Sequence, residues 1–267
     1  MTTSQPFFSV IVPTHKRPVL LRRALASIKS QVCPVECEVI VISDAADGGT
    51  DAVCAELLTP SDMYIRRNGA AGPSASRNLG LSLVKGRYVL FLDDDDAWHP
   101  GFLAQLHAQP HVQLNIPVYF NCTVVTERRL PQGPEMVSEV ELNLAGNLTQ
   151  EVYVKNQVHM SCFAFPRQLL QGLEFDPFMR AYEDWDYLLS VFDRAMPTHV
   201  PLLGSRVFEV ADATTDRRGS SEQANDFNAV LDYLYVYRRH PAPHAALQQI
   251  RAALLGQSGM TLAPDLL

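Results

Sequence analysis

The hydrophobic run Arg87-Tyr88-Val89-Leu90-Phe91-Leu92 passes without a break into four consecutive aspartates, Asp93 to Asp96. No other feature constrains the chain as much. A short apolar run of this kind reads as a strand buried on both faces. The carboxylates at its end repel one another and contribute nothing to a core. A hard divalent cation such as Mg²⁺ or Mn²⁺ would neutralise them, taking one or two protein oxygens and completing its shell from substrate phosphates. The plainer reading is a solvated acidic turn before a helix that opens at Pro100.

The first hundred residues alternate between strand and helix patterns. Phe7 to Val12, Glu38 to Ile42, Met63 to Ile65 and the run before Asp93 read as strands. Between them, Pro18 opens a helix with Leu21, Leu25 and Ile28 at helical spacing. Asp47-Gly48-Gly49 reads as a turn, with Thr50 capping a short helix. A helix from Pro73 or Ser74 carries Ala75, Leu79 and Leu83 on one face and ends at Gly86. Such alternation predicts an α/β fold with a mostly parallel sheet flanked by helices.

The second half is less regular. Strands are expected at Val118 to Val125, Ser161 to Phe165 and Val207 to Val210, with 127–150 as an irregular excursion. A helix runs from Glu183 to Arg194, and two more lie near Glu222 to Arg239 and Ala245 to Leu255. We expect one catalytic unit, 1–215, with a helical C-terminal extension, 216–267, packed on it.

Net charge narrows the partners. A formal charge of -7 argues against a general nucleic-acid binder. No secretory signal is apparent, and no apolar run approaches the ~20 residues of a membrane helix. The expected location is cytoplasmic, with peripheral attachment at the inner face of the membrane left open. The five cysteines match no zinc spacing and read as reduced.

In open parallel sheets, ligands bind outside the carboxyl ends of the strands. Three such ends are polar here: Pro13-Thr14-His15-Lys16-Arg17, Ser43-Asp44 and the acidic run. Converging on one crevice, they suit a nucleotide diphosphate, with a metal bridging phosphates and Asp44 accepting from a base or ribose. Gly69, Gly72, Arg77 and Asn78 add a flexible loop and a cation at a helix start, although the spacing is neither a P-loop nor a dinucleotide fingerprint. Tyr182-Glu183-Asp184-Trp185-Asp186 places three acids among aromatics at another helix start. That is either a helix-dipole arrangement with Trp185 in the core or a general base beside an apolar wall.

In this order, the segments resemble the family 2 glycosyltransferases of GT-A (Rossmann-like) fold, from Phe8 to about Phe192. Ser9 to Thr14 is similar to the family's opening strand. Asn68 to Asn78 is similar to its glycine-rich stretch ending in Arg-Asn, Phe91 to Asp96 to its DXD segment, and Glu183 to Asp186 to its Glu-Asp motif. The resemblance implies that Pro13, Thr14, Asp44, Arg77, Asp93 and Asp94 serve the nucleotide-sugar donor, expected to be UDP-linked. It implies that Asp95 ligates Mn²⁺ or Mg²⁺ and that Asp184 deprotonates the acceptor hydroxyl with inversion. Glu183, Trp185 and His159 would support or contact the acceptor, with Trp185 and Tyr182 offering a stacking face. The acceptor would be a glycan or a lipid-linked sugar in bacterial surface polysaccharide synthesis.

Two departures stand out. Ser43 replaces an acid usual before the family's Gly-Ser turn, and no histidine occurs around Phe208 to Thr215, where Ala211 fills the place of a late metal-associated His. Asp212, Arg217 or Arg218 would have to substitute. No Gln-x-x-Arg-Trp motif of processive synthases is present. The competing readings are a non-catalytic sugar-nucleotide-binding module and a nucleotidylyltransferase. The latter lacks its expected glycine-rich basic signature near the first strand.

Overall fold

The structure is a computed structural model that describes residues 5–130, 133–179, 181–211 and 227–267, without the side chains of 227–229. Its strands are β1 (Phe8–Thr14), β2 (Cys37–Ser43), β3 (Met63–Arg66), β4 (Tyr88–Phe91), β5 (Ala97–Trp98), β6 (Val118–Leu130), β7 (Gly133–Leu142), β8 (Phe163–Pro166) and β9 (Thr198–Val210). The helices are α1 (Pro18–Lys29), α2 (Gly48–Leu57), α3 (Pro73–Leu83), α4 (Phe102–His107), α5 (Pro110–Gln113), α6 (Glu183–Phe192), α7 (Phe227–Arg239) and α8 (Ala245–Gln257).

The strands form one sheet in the order β3-β2-β1-β4-β8-β6-β9-β5, with β7 paired to β6 outside that path. The β3-β2-β1-β4 half is parallel, as the alternating pattern predicts. Every residue of β1 and β4 is buried, as expected for strands covered on both faces. Beyond β4 the sheet turns mixed, because β8 runs antiparallel to both β4 and β6 while β9 runs parallel to β6.

Register brings the functional ends together. Thr14 pairs with Ser43, and Ile11 pairs with Phe91. Chain leaving β1, β2 and β4 therefore emerges at one edge. The amide of Asp44 donates to the Thr14 carbonyl (3.3 Å), and that of Leu92 to the Ile11 carbonyl (3.1 Å).

Several local expectations are corrected. The Asp47 carboxylate, rather than Thr50, caps α2, accepting from the Thr50 amide (2.9 Å) and hydroxyl (2.6 Å). On α3 the expected apolar residues Leu79 and Leu83 pack against the core only partly buried, and the fully buried face is a different one. That face carries Ser74, Ser76, Arg77 and Gly80. Gly80 lies against Ile11 so closely that a Cβ there would come within 2.6 Å of the Ile11 side chain, so small residues let the helix sit down on β1. Residues 133–142 are a strand and not an irregular stretch, because β6 runs on to Leu130 and offers its edge to β7.

Helix α7 packs on α6, and α8 packs on α7 and the chain end. Tyr233 and Tyr237, four apart, face the buried Trp185, with ring centroids 5.4 and 6.0 Å away. The fully buried Arg251 of α8 donates to the carbonyls of Tyr153, His240 and Leu267 (2.7–2.9 Å) and lies over the Tyr237 ring. The expected boundary at 215/216 lies outside the described residues.

Candidate active site

A cleft of about 390 Å³ opens at the carboxyl edge of the parallel strands, within the size range of small-ligand sites. Its walls come from four places: the β1–α1 turn from Pro13 to Arg17, Asp44 after β2, the start of α3 with Pro73, Ser76 and Arg77, and Asp93 to Asp95 after β4. Glu183 closes it from α6. Lys16 and Tyr182 have left-handed backbone (φ 51° and 62°), uncommon outside glycine. Each turns the chain immediately before a residue that faces the cleft, Arg17 and Glu183.

The four aspartates have four different environments. Asp93 accepts from Arg77 (2.7 Å), whose other amino group reaches Glu183 (3.0 Å). Arg77 thus spans from the end of β4 to the start of α6. Burial alone would lower its pKa, but Asp93 and Glu183 reverse this and hold it above the ordinary value. Asp94 has no exposed surface and accepts from the Thr14 hydroxyl (2.7 Å) and, one bond to each oxygen, from the Nε and Nη2 groups of Arg17. Burial pushes its carboxyl up to about 6 against the pull of Arg17.

Asp95, 21% exposed, receives Arg17 (3.1 Å) and Arg129 (2.8 Å) on one oxygen. Asp96 points into the protein, accepting from the Ser161 hydroxyl (2.6 Å) and the Phe208 amide (3.1 Å). Burial, with Asp95 and Asp93 nearby, holds its carboxyl well above the usual range.

Asp44 is the anchor at the β2 side of the cleft. It accepts from the Gly72 amide (2.6 Å) and pairs with His15, with Arg67 at 3.6 Å. Gly72, at φ 157°, is the N-cap of α3. The lone acid after β2 therefore fixes the glycine-rich loop in place.

Asp184 follows Glu183 in the first turn of α6. It accepts from the Trp185 amide (2.8 Å) and from the Asn156 side chain (3.3 Å). Burial raises its carboxyl to about 6, with Glu183 adding to the rise and Arg77 opposing it. A carboxylate that ionises near neutrality is matched to accept a proton.

Three expectations change. Trp185 is fully buried and donates to the Val152 carbonyl (2.7 Å), so it supports α6 from the core and offers no stacking face. Asp94 lines the cleft floor with no exposed surface of its own, and both its oxygens are already engaged by Thr14 and Arg17. His159 is the exposed residue before a buried single-turn helix, Met160–Cys162, and, like Asp184, is not among the cleft-lining residues.

The sequence reading missed Arg129, Arg23 and Glu127. Arg23 donates to the Asp95 carbonyl (2.6 Å) and to the buried Glu127 (2.6 Å), and Arg129 touches the same Glu127 (3.2 Å). Arg129 reaches the site because β6 runs on to Leu130, an extension that the polar sequence Thr126-Glu127-Arg128-Arg129 does not announce. Ala211 donates its amide to the Glu127 carbonyl (2.9 Å), and the candidate substitutes Asp212, Arg217 and Arg218 lie outside the described residues.

The residues fit a divalent cation in one way only. Among the described residues no group of three or more His, Cys, Asp or Glu is placed to hold an ion. Asp95, flanked by Asp93, gives one or two hard oxygens on the cleft wall. That number suits Mg²⁺ or Mn²⁺ when substrate phosphates supply further ligands.

The family model described as glycosyl transferase family 2 matches residues 9–165. The chain belongs to glycosyl transferase family 2. Among its relatives is a GalNAc(5)-diNAcBac-PP-undecaprenol beta-1,3-glucosyltransferase of Campylobacter jejuni, 35% identical over 143 residues that cover 51% of this chain and 46% of that protein. The succinoglycan biosynthesis protein ExoW of Rhizobium meliloti is 30% identical over 200 residues, 66% of this chain and 60% of that one. These matches span only about half to three fifths of the relatives' lengths.

Among solved structures, Staphylococcus aureus TarS 1-349 in complex with UDP-GlcNAc superposes with a TM-score of 0.63 at 19% identity, covering 94% of this chain and 72% of that one. The Pyrobaculum calidifontis mannosyltransferase PcManGT, in complex with GDP-Man and Mn²⁺, gives 0.58 at 19%, covering 96% and 74%. At such identities the likeness is one of fold. The family 2 glycosyltransferase described here has the GT-A fold of these enzymes.

Proposed function

We propose that this glycosyltransferase moves a sugar from a nucleoside diphosphate donor to an acceptor hydroxyl with inversion, assisted by a divalent cation, in the assembly of a bacterial surface polysaccharide. The carrying observation is the Arg77 fork. It ties Asp93, at the acidic run, to Glu183, whose neighbour Asp184 is a carboxylate tuned by burial to about 6. Donor wall and base are thereby held at a fixed separation by one guanidinium.

In this reading Pro13, Thr14 and Asp44 frame the nucleoside, Arg77 and Asp93 meet the ribose, diphosphate or donor sugar, and Asp95 holds Mn²⁺ or Mg²⁺. The bound cation would act as a Lewis acid toward the departing diphosphate. Asp184 takes the acceptor proton as the acceptor oxygen attacks the anomeric carbon from the face opposite the leaving group. Glu183 stays paired to Arg77 and keeps the first turn of α6 in register with the cleft.

UDP is the favoured nucleotide, because TarS was solved with UDP-GlcNAc, and a glycan or lipid-linked acceptor is favoured by the C. jejuni relative's undecaprenol-linked substrate. We place the reaction at the cytoplasmic face of a membrane. Among the described residues no helix is long and apolar enough to cross one.

The test is a pair of variants read in two assays. Asp184→Asn is expected to retain UDP affinity in the presence of Mn²⁺ and to lose transfer. Asp95→Ala is expected to lose the metal-dependent part of UDP binding as well. Donor binding by the wild-type chain without transfer to any acceptor tried would favour a binding module. Undiminished transfer by both variants would remove the assigned roles.

A further inference from the structure

Asp95 is the one member of the acidic run that receives two cations on a single oxygen. Arg17 approaches its Oδ2 at 3.1 Å and Arg129 at 2.8 Å. Either guanidinium would neutralise it, so the carboxylate is oversupplied with positive charge. It also lines the cleft, where a ligand can reach it. Neither arginine depends on Asp95 for its place. Arg17 is held by a two-bond fork on the buried Asp94. Arg129 also touches Glu127 at 3.2 Å, and Glu127 keeps its pair of bonds from Arg23 (2.6 and 3.3 Å) if Arg129 moves. The main chain of Asp95 is meanwhile pinned by Arg23 through its carbonyl (2.6 Å). The anchor is fixed and its counter-ions are replaceable.

We propose that Arg17 and Arg129 are exchangeable counter-ions of Asp95. They occupy the carboxylate in the donor-free protein and pass to the donor's diphosphate when that group enters. This rests on the proposed donor site and gives a role at the diphosphate to Arg17, which lines the cleft, and to Arg129, which meets the cleft through Asp95. The Arg129 group on Asp95 and the one Arg17 amino group that Asp94 does not hold would together suit a diphosphate, whose adjacent phosphoryl oxygens each accept a charge-assisted bond. The exchange keeps local charge nearly constant. Asp95 gives up two monovalent partners as a divalent one arrives, and the arginines gain the anionic phosphates. It also implies order. Asp95 is a poor site for a cation until the diphosphate draws the arginines away.

The proposal makes a prediction of opposite sign for two ligands. Mn²⁺ binding to the full chain is followed by the electron paramagnetic resonance of free Mn²⁺, and UDP binding by calorimetry, with GDP and dTDP run beside it. Arg129→Gln is expected to bind Mn²⁺ alone on the order of tenfold more tightly, since a repelling charge has left Asp95. The same variant is expected to bind UDP about tenfold more weakly, having lost a charge-assisted bond to phosphate. Arg129→Lys, which keeps the charge without the fork, should fall between on UDP. Asp95→Asn placed on Arg129→Gln should erase the Mn²⁺ gain, which locates the gain at this carboxylate.

A residue that only shapes Asp95 would lower both affinities when removed. That result, or no change in either, overturns the exchange. If the wild-type chain binds none of the three nucleotides with Mn²⁺ present, the donor reading fails separately. Inorganic pyrophosphate in place of the nucleotide then still decides the exchange.

Discussion

The parallel strands bury carboxyl groups at both ends and satisfy them in different ways. At the amino end, Glu38 of β2 pairs in register with Ser9 of β1 and accepts its hydroxyl (2.5 Å) together with the Lys85 amide (2.7 Å). The Ser9 oxygen in turn accepts from the Gly86 amide (2.7 Å), so close that a Cβ on Gly86 would lie 2.6 Å from the Ser9 nitrogen. At the carboxyl end, Asp93, Asp94 and Asp95 are satisfied chiefly by guanidiniums on long side chains from α3, the β1–α1 turn and β6. Main-chain amides and short hydroxyls cannot withdraw, and they seal their end. Arginines can turn to a ligand. Among the acids at the two ends of β2 and β4, the partner therefore separates Glu38, which closes the sheet, from Asp93 and Asp95, which face the cleft.

The largest effect that sharpens this contrast is at Asp184. Asp184→Asn keeps an oxygen for the Trp185 amide and loses the base, so transfer should fall by about 10²–10⁴. Its melting temperature should stay close to that of the wild type. Initial rates and thermal denaturation on the same preparation check both halves. A large loss of stability with partial activity would make Asp184 a structural residue like Glu38.

Glu38→Ala should show the reverse pattern. It leaves the Ser9 hydroxyl and the Lys85 amide without a partner in a closed space, which costs about 2–3 kcal/mol of stability. Urea denaturation measures this. The turnover number of the folded fraction should be unchanged. A drop in turnover at unchanged stability would break the assignment of that end to structure alone.

The carboxyl end should also respond to pH. The Asp184 carboxyl titrates near 6 and must be ionised to accept a proton. Turnover should thus be level above that pH and fall about tenfold per unit below it. A profile flat down to pH 5 would remove Asp184 as the base.

How much of this was legible in the sequence follows from the same division. The parallel half was readable because each β1–β4 strand is a continuous apolar run and each helix between carries a breaker at its start, as Pro18 and Pro73 do. The site's carboxylates were readable because an acid at the end of an apolar run has no role in a core. The arginines that meet them were not. Arg129 depends on β6 passing Val125, and nothing local distinguishes it from the neighbouring Arg128. The fully buried face of α3 was not readable from apolar spacing, because Gly80 packs on β1 by close approach and its buried neighbours Ser74 and Ser76 are small and polar. Trp185 looked like a sugar platform because pattern alone cannot tell a core aromatic from a cleft aromatic. The tyrosines that enclose it come from α7, some fifty residues later.

The smallest expected effect is also the most diagnostic of replaceable charge. Asp94 is fully buried, and burial raises its folded-state pKa from the ordinary 3.8 to about 6. A carboxyl with a raised folded pKa adds stability below its unfolded pKa and loses it as pH rises through the folded one. The wild-type contribution should therefore decline between about pH 4 and 6. Asp94→Asn removes that titration while leaving an oxygen for the Thr14 hydroxyl. It also loosens the Arg17 fork, and Arg17 keeps its bond to Asp95. The two changes oppose each other, so stability at pH 7 should move by no more than about 1 kcal/mol. The stability-against-pH curve should flatten across that window, which urea denaturation at a series of pH values would show. A loss of several kcal/mol at pH 7 would mean that Asp94 is held like Glu38, as part of the sheet's closure, and that the boundary between the two kinds of acid runs through the acidic run itself.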